Sequence, residues 1–164
     1  FTGRYSLDLE ESFGRNWGRL DYSIRGLWLI EQKNFLDQAR PTFGTETAGN
    51  TNLPRVRFTS SLTWTPNSTW SFNWTADWQT AQESQSLRGI VNNLDIRPYD
   101  TYHTGDFARH DFSVRYNVTD QLTVRAGVTN AFDAEQPRYL GTALLDNYDP
   151  YGTRFNIGLN WRPW

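Results

Sequence analysis

Residues 56–78 read VRFTSSLTWTPNSTWSFNWTADW, two alternating runs joined by a short polar turn. Val56, Phe58, Ser60, Leu62 and Trp64 alternate with Arg57, Thr59, Ser61 and Thr63. After Thr65, Pro66, Asn67 and Ser68 the phase resumes at Trp70, Phe72, Trp74, Ala76 and Trp78. A period of two puts the rings on one face and the polar side chains on the other, and Pro-Asn-Ser is turn chemistry, so the stretch predicts an antiparallel hairpin. Setting Trp64 opposite Trp70 places Leu62 by Phe72 and brings Arg57 opposite Asp77 on the polar face, where opposite charges stabilise a strand pair.

The same pattern extends in both directions. Upstream, Tyr5, Leu7, Leu9 and Phe13 alternate with Ser6, Asp8, Glu10 and Ser12, and a longer strand carries Leu20, Tyr22, Ile24, Gly26, Trp28 and Ile30. Phe13 set opposite Leu20 brings Leu9 beside Ile24 and Asp8 beside Arg25. Downstream, Phe112, Val114 and Tyr116 turn near Thr119 and Asp120 into Leu122, Val124, Ala126 and Val128. Tyr116 opposite Leu122 puts Phe112 by Ala126. A last strand carries Phe155, Ile157, Leu159 and Trp161. Long polar excursions over about 34–54, 81–106 and 133–152 separate these units.

Tight turns thus alternate with long loops, and each strand has one apolar and one polar face. This predicts an all-β chain, an antiparallel transmembrane β-barrel segment of about seven strands with lipid outside and a polar lumen inside. Trp17, Trp64, Trp70 and Trp161 fall near the tight turns or the last strand's end, and Trp28 and Trp78 near the long loops. They are the expected aromatic girdles at two membrane interfaces. The expected lumen ion pairs are Arg57 with Asp77 and Asp8 with Arg25. About seven strands cannot close on themselves, so further strands must complete the sheet, from a longer polypeptide or another chain.

Composition agrees. Among 164 residues there are 8 Trp, 8 Tyr and 10 Phe, yet only 37% are hydrophobic, so apolar area is concentrated in rings that suit a boundary between oil and water. No run approaches the roughly 18 apolar residues of a spanning helix. A net charge of −2 gives no surplus for phosphate, which disfavours nucleic acid. The chain has no Cys and only two His, which removes thiolate sites and leaves little for a transition metal.

Catalytic constellations are weak, and the chain reads as a non-enzyme. Asp8, Glu10 and Glu11 resemble an acid–base set only superficially, because Asp8 and Glu10 occupy alternate positions on a solvated wall. His103 and His110 with Asp106 and Asp111 do not converge as metal ligands, since His110 lies on the apolar phase. No phosphate loop, nucleophile elbow or zinc spacing occurs, so no cofactor is expected. The triplets at Asn67, Asn73 and Asn117 read as incidental to turns. In the second excursion, residues 95–103 mix rings, charge and hydroxyls; Arg97, Tyr99, Tyr102 and His103 are the candidate ligand-binding residues there.

The last sixty or so residues carry a more specific signal. The run Leu122-Thr123-Val124-Arg125-Ala126-Gly127-Val128-Thr129-Asn130-Ala131-Phe132-Asp133 resembles the penultimate strand of TonB-dependent outer-membrane receptors. Residues 148–161, from Tyr148-Asp149 through Gly152 and Arg154 to Gly158-Leu159, resemble that family's closing strand. One departure is that Trp161 is in phase with the apolar face while Pro163 and Trp164 extend past it. The resemblance implies a 22-stranded barrel with an N-terminal plug and a TonB box, of which residues 1–164 are the C-terminal barrel portion, lacking plug and box. It implies active uptake of a scarce nutrient across the bacterial outer membrane: a siderophore, cobalamin or an oligosaccharide. Its partners are lipid, the remaining strands, the plug, the TonB complex and, in some cases, a surface lipoprotein. The competing readings are an all-β carbohydrate-binding module with aromatic stacking platforms, and a passive porin-type barrel.

Overall fold

A computed structural model of the chain describes residues 1–35, 37, 39, 42, 44–83, 104–136 and 148–163. Its elements are β1 (Thr2–Asp8), α1 (Leu9–Phe13), β2 (Arg19–Trp28), β3 (Lys33–Phe35), β4 (Gly44–Glu46), β5 (Val56–Thr65), β6 (Trp70–Gln79), β7 (Phe107–Asn117), β8 (Leu122–Thr129) and β9 (Arg154–Trp161). Seven strands form one sheet in the order β1-β2-β5-β6-β7-β8-β9, every neighbour antiparallel. The sheet is open, with β1 and β9 at its edges. β3 and β4 form a separate small hairpin inside the first long connection.

Alternation survives across every pairing. Leu20 faces Trp64, Trp64 faces Phe72 and Phe72 faces Val114, so the apolar residues form a continuous outer face. Rings stack along it: Trp64 on Phe72 at 5.4 Å, Trp70 by Tyr116 at 4.3 Å and Phe58 on Trp78 at 5.1 Å between centroids. Nothing in the described residues covers this face; Phe155, Ile157 and Leu159 are 82, 79 and 74% exposed. An apolar patch of that extent marks a surface that meets another protein or hydrocarbon and not bulk water. No helix of the described residues is long and apolar enough to cross a membrane.

The turns are fixed by side chains. In the β5–β6 turn Asn67 Oδ1 accepts from the backbone N–H of Thr69 and Trp70, and in the β7–β8 turn Thr119 Oγ1 accepts from Gln121 and Leu122. These bonds set a register two residues away from the expected one in both hairpins. Trp64 faces Phe72, not Trp70, and Tyr116 faces Val124, not Leu122.

The first hairpin departs further. Strand β1 stops at Asp8, whose Oδ1 caps α1 by accepting from Glu10 and Glu11 N–H at 2.9 and 3.3 Å. Gly14 ends the helix at φ 66°. Leu9 and Phe13 therefore belong to a helical turn and not to the strand, and Glu10 and Glu11 sit in its first turn, not on a lumen wall. Leu20 faces Leu7, six residues from the expected partner. Gly18 closes this connection at φ 77°, where an added Cβ would stand 2.0 Å from the Thr65 carbonyl oxygen.

Candidate functional site

The register aligns the polar-face residues into rows across the strands. One row runs Thr2, Arg25, Thr59, Asp77 and Arg109, and the next toward the long loops runs Leu27, Arg57, Gln79 and Phe107. The two expected lumen ion pairs are corrected by this geometry. Arg57 faces Gln79, and Asp77 instead accepts from Thr59 Oγ1 at 2.6 Å and from Arg109 at 2.8 Å. Asp8 faces Arg19 and caps α1, while Arg25 faces Thr2. The faces stay the same and the partners change.

Arg25 and Arg57 stand on adjacent strands beside an open groove of about 580 Å³ at the long-loop end, shared with Thr59, Asp77, Gln79 and Arg109. Both are exposed, and neither makes an ion pair among the described residues. Arg109, by contrast, is held by three carboxylates: Asp77, Asp111 and Asp149, at 2.8, 3.3 and 3.1 Å. Among the described residues the groove thus presents two guanidinium groups without a carboxylate partner, which suit an anion.

Above it the loop bases are tied into two knots. Asn130 is fully buried at φ 52°. Its Nδ2 donates to the carbonyls of Ala134 and Tyr151, its Oδ1 accepts from Ala134 N–H, and its own N–H donates to Asp111. Asp133, also at φ 52°, accepts from Thr153 N–H and lies against Gly152. The Asn130–Asp133 and Tyr148–Gly152 motifs therefore form one hydrogen-bonded unit joining the ends of β8 and β9. In the second knot Gln82 Nε2 donates to Tyr148 Oη, which donates to Thr104 Oγ1, while Phe107 packs edge-on to Tyr148.

Asp149 links the first knot to the lumen wall, accepting from Arg109 and Arg154. Burial works against its ionisation, yet the Tyr151 backbone N–H and the Arg154 and Arg109 guanidinium groups hold its carboxyl below the ordinary carboxylate value. This cluster was not among the sequence candidates. Asn130, Asp149 and Arg154 lay within quoted motifs, but strand phase gives no weight to residues at strand ends.

Of the remaining candidates, Arg97, Tyr99, Tyr102 and His103 lie outside the described residues. Trp64, Trp70 and Trp161 stand at the tight-turn ends of their strands, and Trp17 joins them through its carbonyl, which accepts from Trp64 Nε1 at 2.8 Å. Trp28 and Trp78 stand at the long-loop ends of β2 and β6. His110 keeps to the apolar phase, its Nδ1 accepting from Trp74 Nε1 at 3.1 Å and its ring edge-on to Phe132.

A sequence model of the family described as TonB dependent receptor-like, beta-barrel, matches residues 2–131. No curated protein matches the chain by sequence. Solved structures do. Two mutant structures of the ferric enterobactin receptor PfeA from Pseudomonas aeruginosa match at 18% identity, TM-score 0.60, over 98% of this chain and 21% of theirs. A third, in complex with enterobactin, matches at 18% identity and TM-score 0.59 over 98% of this chain and 22% of its own. The likeness is one of fold, and the chain spans about a fifth of the length of these receptors.

Proposed function

Because the chain belongs to the TonB-dependent receptor β-barrel family of the bacterial outer membrane, we propose that it is the C-terminal wall of a nutrient-uptake receptor energised through TonB. In this reading the apolar face meets lipid, the Trp residues at the two sheet ends mark the interfaces, and the polar face lines the lumen around a plug. The chain carries no catalysis of its own; it contributes barrel wall and three extracellular loops.

The observation that carries the reading is the pairing of an uncovered apolar face with a lumen face whose groove offers Arg25 and Arg57 to an anion. Among the nutrients such receptors take up, that chemistry favours a ferric siderophore over a neutral oligosaccharide. A carbohydrate-binding module fits poorly, because stacking platforms occupy one site, whereas here the rings cover the outer face of a whole sheet.

Uptake by whole cells tests it. Cells expressing the complete receptor should accumulate radiolabelled iron supplied as a tris-catecholate complex, and lose this on deletion of the receptor or of TonB. Equal accumulation with and without the receptor would reject the siderophore assignment.

A further inference from the structure

Arg115 on β7 and Arg125 on β8 are directly opposite one another on the lumen face, near the tight-turn end of the sheet. Opposed residues of neighbouring antiparallel strands are about 5 Å apart, and like charges so placed repel. Among the described residues, the facing positions are neutral. Ser71 faces Arg115 from β6, Gly158 faces Arg125 from β9, and Ser113 and Gly127 precede the pair toward the loops. Both arginines are exposed, and neither has an ion pair among the described residues.

The contrast within the same strands is informative. Arg109 on β7 is surrounded by Asp77, Asp111 and Asp149, and Arg154 on β9 is held by Asp149. Where this wall needs a charge neutralised from within, it supplies the carboxylate. At Arg115 and Arg125 the described residues supply none, and the space beside Arg125 is open: an added Cβ at Gly158 would meet nothing within 4 Å. Two adjacent guanidinium groups facing open space match one carboxylate, which accepts a hydrogen bond on each oxygen.

We propose that Arg115 and Arg125 form a docking clamp for an Asp or Glu side chain of the polypeptide domain that fills the lumen. The position favours a polypeptide over diffusing cargo. The clamp is at the turn end, remote from the groove at Arg25 and Arg57, and a permanent lumen occupant can relieve the repulsion throughout the receptor's cycle. The inference rests on the receptor reading, since it needs a filled barrel, but it is independent of which nutrient is carried.

The test is the apparent melting temperature of the complete receptor in detergent, without cargo. Arg115→Ala and Arg125→Ala should each lower it by a few degrees, Arg125→Lys should retain most of the wild-type value, and added salt should lower the wild type by more than it lowers either alanine variant, because the other ion pairs of the wall are common to both. Uncompensated repulsion gives the opposite sign: either alanine variant melts higher, and salt raises the wild type relative to the variants. That result overturns the proposal, as does a melting temperature unchanged by both substitutions. If the loss appears only with an iron(III) tris-catecholate bound, the partner is cargo and the polypeptide clamp is rejected. Arg115→Gln and Arg125→Gln, which keep most of the side chain, decide by the same readout even if an alanine variant does not fold. Failure of iron uptake with these melting shifts intact would reject the cargo assignment alone.

Discussion

Arg109 on β7 and Asp149, five residues before Arg154 on β9, meet at 3.1 Å and join the lumen wall to the base of the third long loop. Asp149 is held ionised below its ordinary range, although its side chain is only 8% exposed. A depressed carboxylate stabilises the folded state fully above its unfolded pKa, about 3.9, and that contribution is lost as pH falls through the lower folded value. Protection of residues 148–153 against hydrogen exchange, taken relative to the intrinsic rate at each pH, should therefore hold from neutral pH to about 4 and fall below it. Asp149→Asn should remove the pH dependence and cost about 1–2 kcal/mol, since Arg109 is only partly exposed and loses a partner.

Asn130→Ala should be more damaging than any surface change. It removes the side-chain bonds to Ala134 and Tyr151 from a fully buried site and leaves a non-glycine residue at φ 52° without the local bonds that make that conformation favourable. A loss of about 2–4 kcal/mol in denaturant titration of the folded receptor is expected. Asn130→Gly keeps the backbone conformation accessible and should recover part of it.

Gly18→Ala should destabilise the first connection by about 2 kcal/mol or more, because the new Cβ meets the Thr65 carbonyl at 2.0 Å and the residue must hold φ 77°. Heat-modifiable gel mobility would report it as a lower unfolding temperature. An unchanged temperature would show that the β1–β2 and β5–β6 turns do not touch.

Much of this was legible in the sequence, and the limit has a physical cause. Alternation assigned the apolar and polar faces correctly for β2, β5, β6, β7, β8 and β9, because a sheet with one apolar and one polar side imposes a strict period of two. It could not assign partners. A slip by an even number of residues leaves every side chain on its own face, so Trp64 opposite Trp70 and Trp64 opposite Phe72 satisfy the pattern equally. The choice is made by the hydrogen bonds of Asn67 and Thr119 in the turns and by the Asp8 cap, which diverts Leu9 and Phe13 into a helix although their phase suits a strand. Because charge pairs depend on register, Arg57–Asp77 and Asp8–Arg25 gave way to Arg109–Asp77 and a helix cap.

Depth on the outer face should be measurable as energy. Leu62→Arg points a charge at lipid and should cost about 2–4 kcal/mol if near the midplane, whereas Thr63→Arg, one residue on, faces the lumen and should cost far less. Equal costs would argue that both faces meet water.

The central claim is that the apolar face touches hydrocarbon and the polar face does not. The chain has no Cys, so single spin labels can be placed at will in the receptor segment. Labels at Phe72→Cys, Asn73→Cys, Trp74→Cys and Thr75→Cys in lipid bilayers should show collision with oxygen, which concentrates in hydrocarbon, high at 72 and 74 and low at 73 and 75. The reverse order, or no alternation, would contradict the account.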